Sequence, residues 1–510
     1  MGVSSIDRFI NSGTKSTQPH GDTIGFVISP RHEMPSITEV VALLRHGIDT
    51  SDLVVGNLVK IIDRITKQVF IGLITNHLSY SDITGREEYF PHIAEKGPDY
   101  VYKDWLNSSQ FIQRFIRIKL LAMISNGKVG AIDFAPITGS PVYPADKGVV
   151  DAVFGFRDDG IFLGRIYGTR YDVKIPVNSV IPQHGLIIGQ TGSGKSYAAG
   201  VIVEEALLRG IPVLIFDHFG EYATLKEPSD EKDRLKEWGL LPRAFDIKIL
   251  EPKKDIAVDL DMLLRMPELW DYLNMSDAMI HKLITLLNQL KKNAALSSLD
   301  IIINRLGCGK SETDRTTSAL CWRLETLKKE SEFRWGIWNV QDYVNKGKAL
   351  IIDMRGLNDR EAAIYVSYVL TVLLNARKAN PSPIPPTMVL LEEAHNYVPR
   401  EDTPATRKVR TIIREGRKYG LAIWLISQRP SYLHPDAVTI SNTHLVFRLR
   451  GSDVDYVSEY MPLTKDEKDQ IPMLPDGVAF ISNPRLRLPL KIQIRPRLTK
   501  HGGTTIDFLK

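Results

Sequence analysis

The residues Gly189-Gln190-Thr191-Gly192-Ser193-Gly194-Lys195-Ser196 have the types and spacing of a Walker A phosphate-binding loop. Glycines keep side chains away from a polyphosphate, so backbone N–H groups and the positive end of the following helix can face the anion. Lys195 is placed to reach the β- and γ-phosphates of ATP, and Ser196 to ligate Mg²⁺. Tyr197 completes the expected ATP-binding set. Another Gly-Lys-Ser, Gly309-Lys310-Ser311, has Asn304 where the first glycine belongs. Residues 300–306 before it read as a helix capped by Gly307, so it is set aside.

Hydrolysis needs more than a phosphate cradle. Glu392 and Glu393 follow the apolar run Met388-Val389-Leu390-Leu391. A carboxylate at such a strand end is the Walker B position, where Glu392 would hold the hydration shell of Mg²⁺. Glu393 beside it can polarise an attacking water as general base. Asp217 ends another apolar run, Val213-Leu214-Ile215-Phe216, and is a weaker candidate for metal or water contact, since such aspartates often cap helices. Gln428, after Ser427, can sense the γ-phosphate or simply make a turn contact.

The elements that must position these groups are legible as strand–helix alternation from Gly185 onward. Gly185-Leu186-Ile187-Ile188, residues 212–217, 349–353, 388–391 and 421–428 are continuous apolar strands separated by helical stretches such as 360–379. That pattern predicts a parallel α/β sheet covered on both faces, with ligands at the carboxyl ends of its strands. Between about 255 and 340 the alternation stops and helices take over. Met279, Leu283, Leu286, Leu287 and Leu290 form an apolar stripe after a capping Ser276, and a second helix is expected over 313–329. The first ~150 residues are instead short β-runs; Phe111-Ile112-Gln113-Arg114-Phe115 leads into the alternating Ile116-Arg117-Ile118-Lys119-Leu120. A small antiparallel barrel with a structural or oligomerising role is expected there.

Composition sets outer limits. The 510 residues are 43% hydrophobic and 25% charged, ordinary for a soluble protein of two to four domains. No apolar run approaches a membrane span, no signal segment is evident, and Ile6 breaks the myristoylation pattern begun by Met1-Gly2. With only Cys308 and Cys321, neither a disulfide framework nor a zinc module is supported, and a reducing cytoplasmic setting is expected. A net charge of +5 is too small to argue for nucleic acid by itself. Its distribution says more. Arg400, Arg407, Lys408, Arg410, Arg414, Arg417 and Lys418 crowd one stretch, against Glu401, Asp402 and Glu415. Arg400, Arg407 and Lys408 are the candidates for phosphate contacts on DNA, with a solvated helix face as the alternative. Arg485, Arg487, Lys491, Arg495 and Arg497 alternate as in a terminal strand that could brace a neighbouring subunit.

Five motifs in order resemble the HerA family of hexameric DNA translocases, within the HerA/FtsK group of P-loop motors. They are the phosphate loop, Phe216-Asp217-His218-Phe219-Gly220-Glu221-Tyr222, and Leu391-Glu392-Glu393-Ala394-His395-Asn396-Tyr397-Val398-Pro399. Arg414-Glu415-Gly416-Arg417-Lys418-Tyr419-Gly420 and Ser427-Gln428-Arg429-Pro430 complete the set. The resemblance implies a RecA-like ATPase core with an N-terminal β-barrel and a helical-bundle insertion. The expected divisions are a barrel over 1–165, the core over 166–254 and 346–495, the bundle over 255–345, and a brace over 496–510. It further implies a homohexameric ring that hydrolyses ATP between subunits and drives double-stranded DNA through its channel. Archaeal relatives act with a NurA-type nuclease in end resection for recombination. Gln183 stands where many members have a basic residue, which puts any contact made there in doubt. A guanidinium from the next subunit is expected at the γ-phosphate, with Arg417 the first candidate for this arginine finger and Arg414 the second. Two other classes stay open: a conjugation- or secretion-type motor moving DNA or protein cargo, and a nucleotide-operated clamp, against which Glu393 argues.

Overall fold

The computed structural model describes residues 23–29, 34–45, 47–48, 53–81, 112–125, 128–291, 298–308, 314–330, 332–381, 383–401 and 403–503. Met1-Gly2, Ile6, Phe111, Asp402 and the Gly309-Lys310-Ser311 run lie outside them. The chain divides into two units: Met1–Pro176 with Arg485–Gln493, and Val177–Pro484 with Ile494–Lys510. The boundary falls after Pro176, where the sequence reading places it after residue 165.

The first unit contains β1 (Gly25–Ile28), β2 (Glu39–Leu44), β3 (Leu58–Ile62), β4 (Val69–Ser81), β5 (Ile112–Ser125), β6 (Lys128–Gly130) and β7 (Pro141–Pro144). They pair in the order β2-β1-β7-β3-β4-β5-β6, and β2 also pairs antiparallel with β5, which closes the sheet into a barrel. The period-two pattern explains the packing. Ile116 and Ile118 of β5 are fully buried beside Val59, Ile61, Phe70 and Ile74, while Arg117 between them reaches out to Glu39. The helix α1 (Lys147–Phe154) follows, capped by Asp146 and ended by the left-handed Gly155. After it β8 (Ile161–Ile166) and β9 (Asp172–Ile175) form an antiparallel pair.

The second unit is built on β10 (Gly185–Ile188), β11 (Val213–Asp217), β12 (Ile247–Leu250), β13 (Ala349–Asp353), β14 (Thr387–Leu391), β15 (Leu421–Ser427), β16 (Thr443–Val446) and β17 (Val478–Ser482). The order is β12-β13-β11-β14-β15-β10-β16-β17; every pair up to β16 is parallel and β17 alone runs antiparallel. Strands β10, β11, β14, β15 and β16 are buried at every position, which is why they read as unbroken apolar runs. The last strand among the described residues is β18 (Leu490–Ile494).

Helix α2 (Lys195–Leu208) leaves the phosphate loop and is buried on nearly all sides. Between β12 and β13 lie α3 (Asp277–Lys291), α4 (Leu299–Leu306) and α5 (Arg315–Glu330). Met279, Leu283, Leu287 and Leu290 are buried; Leu286, in the same stripe, is half-buried. Gly307 is the left-handed cap of α4, as the sequence predicts. The cysteine reading is corrected: Cys308, just past that cap, and Cys321 in α5 form a disulfide with Cα atoms 5.6 Å apart. The pairing depends on how α4 docks on α5, which spacing along the chain does not reveal. One bridge is not a framework, but it removes the inference from free thiols to a reducing setting. Two long helices complete the unit, α6 (Asp359–Ala379), opened by the capping box Asn358/Glu361, and α7 (Pro404–Glu415), capped by Thr403.

Candidate nucleotide-hydrolysis site

Strand β10 ends at Ile188 and the chain turns through Gly189–Gly194 into α2. Gly192 and Gly194 take φ of 77° and 109°, which side chains resist, and a Cβ on Gly194 would sit 3.1 Å from the backbone of Gly477. The loop is tied from within: Ser193 Oγ and Lys195 Nζ donate to the Gln190 carbonyl at 2.7 and 2.9 Å. Lys195 is thus folded back over the loop and buried. Burial lowers its pKa, opposed by the charges of Glu393, Glu221 and Glu392 around it.

The carboxylates divide by role. Asp217, at the end of β11, is 1% exposed. Its Oδ1 accepts the N–H groups of Phe219, Gly220 and Glu221, and its Oδ2 that of Tyr222. It therefore organises the turn after β11, the capping role weighed against metal contact. Glu392, just beyond β14, is buried, and its Oε2 accepts the His218 N–H at 3.3 Å. Burial, then the charges of Asp217 and Glu221, push its pKa well up. A carboxylate so penalised suits a bound cation. Among the described residues no three His, Cys, Asp or Glu side chains converge as a metal cage. The residues therefore fit a Mg²⁺ held by one carboxylate and the Ser196 hydroxyl together with phosphates and water.

Glu393 has left-handed backbone angles, φ 44° and ψ 46°, a conformation costing of order 1–3 kcal/mol for a residue with a side chain. Its pKa is raised by burial, against the pull of Lys195. Gln428, one residue past β15, accepts from Thr191 Oγ1 at 2.8 Å, joining the phosphate loop to the neighbouring strand end. The parallel register of β10 with β15 and of β15 with β14 gathers Lys195, Glu392, Glu393 and Gln428 beyond the carboxyl ends of these central strands.

Other predicted residues go elsewhere. Tyr197 turns its hydroxyl to accept the Arg497 N–H at 2.8 Å and stacks edge-on against His501, so its side chain serves the C-terminal segment. Arg410 and Arg414 both grip Asp436 Oδ2, at 2.5 and 2.6 Å. Arg417 is exposed, and its charge reaches the buried His184. Arg400 and Arg407 are exposed and Lys408 half-buried. Gln183 Oε1 accepts from Asn442 Nδ2 at 2.9 Å, a contact within its own unit. Arg495 and Arg497 are buried against Glu204 and Glu205 of α2, so these two residues of the basic stretch are engaged within their own unit. Sequence reasoning missed Glu221, His395, Ser427 and Arg429 as neighbours of the site. All four stand inside the motifs quoted above, and position within a motif was the only signal available.

A parallel α/β sheet with a Walker A loop after β10 and paired glutamates after β14, one strand removed from it, defines a RecA-like P-loop ATPase. Residues 161–373 match the family described as "Helicase HerA, central domain". The DNA double-strand break repair helicase HerA of Sulfolobus acidocaldarius is 27% identical over 428 residues, 77% of this chain and 82% of that one. The protein of the same name from Saccharolobus solfataricus is 26% identical over 425 residues, 79% and 81% of the two chains. The structure of VirB4 of Thermoanaerobacter pseudethanolicus shares the fold, with a TM-score of 0.52 at 16% identity over 66% of this chain and 97% of that one.

Proposed function

We propose that the protein is an ATP-driven motor that moves double-stranded DNA through a homohexameric ring, acting in the repair of DNA ends. The observation that carries this reading is the convergence of Lys195, Glu392, Glu393 and Gln428 beside a glycine-shaped phosphate loop. In the proposed reaction the loop's N–H groups hold the polyphosphate, and Lys195 neutralises charge on its β- and γ-oxygens. Mg²⁺, held by Ser196 and Glu392, would supply Lewis-acid polarisation of the γ-phosphate. Glu393 takes the proton of the attacking water, and Gln428 reports the γ-phosphate to the Thr191 end of the loop.

Duplex DNA as the cargo is the reading favoured by likeness to two relatives named as DNA double-strand break repair helicases. A nuclease partner of the NurA type and a cytoplasmic setting belong to the same proposal. Among the described residues no helix is long and apolar enough to cross a membrane. The test is the ATPase rate with and without duplex DNA, read beside the native mass of the assembly. Stimulation by duplex DNA in a particle of six chains is expected. A rate indifferent to DNA would return the chain to the cargo-motor or clamp readings.

A further inference from the structure

Glu393 is held in an unusual way. One of its oxygens, Oε2, is buried and accepts no hydrogen bond from the protein, although the His395 Nδ1 lies 3.3 Å from it. The same Nδ1 is 3.3 Å from Ser427 Oγ, at the last residue of β15, and that hydroxyl accepts the Arg429 N–H at 3.1 Å. His395 therefore stands between the carboxylate that ends one strand and the hydroxyl that ends the next. Gln428, adjacent to Ser427, accepts from the Thr191 hydroxyl. The left-handed backbone at Glu393 leaves little slack, because a change there would swing the whole carboxylate.

We propose that His395 is a positioning residue for Glu393: its imidazole, held by the hydrogen bond between Nδ1 and Ser427 Oγ, packs 3.3 Å from Oε2 and fixes where the carboxylate of the water-activating base sits. The proposal rests on the reading of Glu393 as the water-activating base. Through Ser427 it makes water activation depend on where β15 ends, so movement of Gln428 at the γ-phosphate also moves the support of the base. A half-buried polar side chain that merely filled space would have no such dependence.

The experiment uses the full-length protein and steady-state ATP hydrolysis. His395→Ala is expected to lower kcat by about ten- to a hundredfold, with KM for ATP within about twofold, since binding is untouched and only the base is misplaced. Asn places an amide where Nδ1 was, so His395→Asn should recover much of the loss; Gln, which reaches the Nε2 position, should not. Ser427→Ala should show a smaller loss, and its effect should not add to that of His395→Ala. Binding of a fluorescent ATP analogue and an unchanged melting temperature verify that each variant is folded. Unchanged kcat in folded His395→Ala, or equal loss in His395→Ala and His395→Asn, overturns the positioning role. Glu393→Gln separates the two levels. If it keeps turnover, the reading beneath fails; if it is inactive while His395→Ala is not, only the present proposal fails.

Discussion

Lys195 meets opposing demands. Burial disfavours its charge, while Glu393, Glu221 and Glu392 surround it with negative charge that sustains it. Lys195→Ala is expected to lower turnover by about 10²- to 10³-fold, because the developing γ-phosphate charge loses its cation. Glu393→Gln should still bind ATP while hydrolysing it about 10²-fold more slowly or worse, as measured in single-turnover assays. Near-normal turnover would pass the base role to Glu392. His184 provides a pH test away from the chemistry. It is buried, its Nδ1 accepts the Ile423 N–H, and burial followed by Arg417 pushes its pKa from 6.5 down to about 4. Within that window the unfolded chain binds a proton that the folded chain refuses. Stability should therefore fall as pH drops from about 6.5 to 4, by up to about 3 kcal/mol from this group. Melting curves across that range check it; a His184→Gln chain, if folded, should lose that part of the slope.

At the scale of elements, α2 is locked from behind. Arg495 bridges Glu204 and Glu205 at 2.9 and 3.0 Å with its side chain fully buried. Glu204 Oε1 and Oε2 also accept the Thr499 and Leu498 N–H groups. Arg497 packs on Gly200 so closely that a Cβ there would lie 2.6 Å from its guanidinium carbon. Arg495→Ala removes the buried cation between two carboxylates and is expected to cost about 3–5 kcal/mol, read by denaturant unfolding. A cost below about 1 kcal/mol would mean that the network is dispensable. Helix α7 presents a different face. Ala405, Val409, Ile412 and Ile413 are buried, and Arg407 is turned outward. Replacing Arg407 and Lys408 by alanine should weaken duplex binding and reduce its salt slope by up to about two units, with DNA-free ATPase intact. An unchanged slope would make this an ordinary solvated face.

At the scale of the whole molecule, the question is what one chain lacks. Arg414 is engaged with Asp436 in its own unit, whereas Arg417 is exposed beyond the end of α7. That favours Arg417 as the finger offered to a neighbour's γ-phosphate. Mixing Arg417→Ala with Glu393→Gln in one assembly should recover part of the ATPase, because some interfaces then carry both intact groups. No recovery despite verified co-assembly would count against a finger acting in trans.

The phosphate loop, the strand-end glutamates and the parallel sheet were legible in the sequence because each depends on local pattern: glycine spacing, unbroken apolar runs, carboxylates directly after them. The closed barrel was legible for the same reason, through alternation such as Ile116-Arg117-Ile118. What local pattern lacks is the partner of a side chain. Asp217 and Glu392 both end apolar strands, yet one is consumed by four backbone N–H groups and the other lies buried among negative charges. Arg495 and Arg497 read as part of an alternating terminal strand, and only the packing of the C-terminal segment on α2 made them an internal lock. Cys308 met Cys321 only because α4 docks on α5. His395 acquired a neighbour in Ser427, 32 residues away, only through the parallel pairing of β14 with β15. Register along a sheet is set by burial across the whole unit, so the contacts it creates belong to the tertiary structure alone.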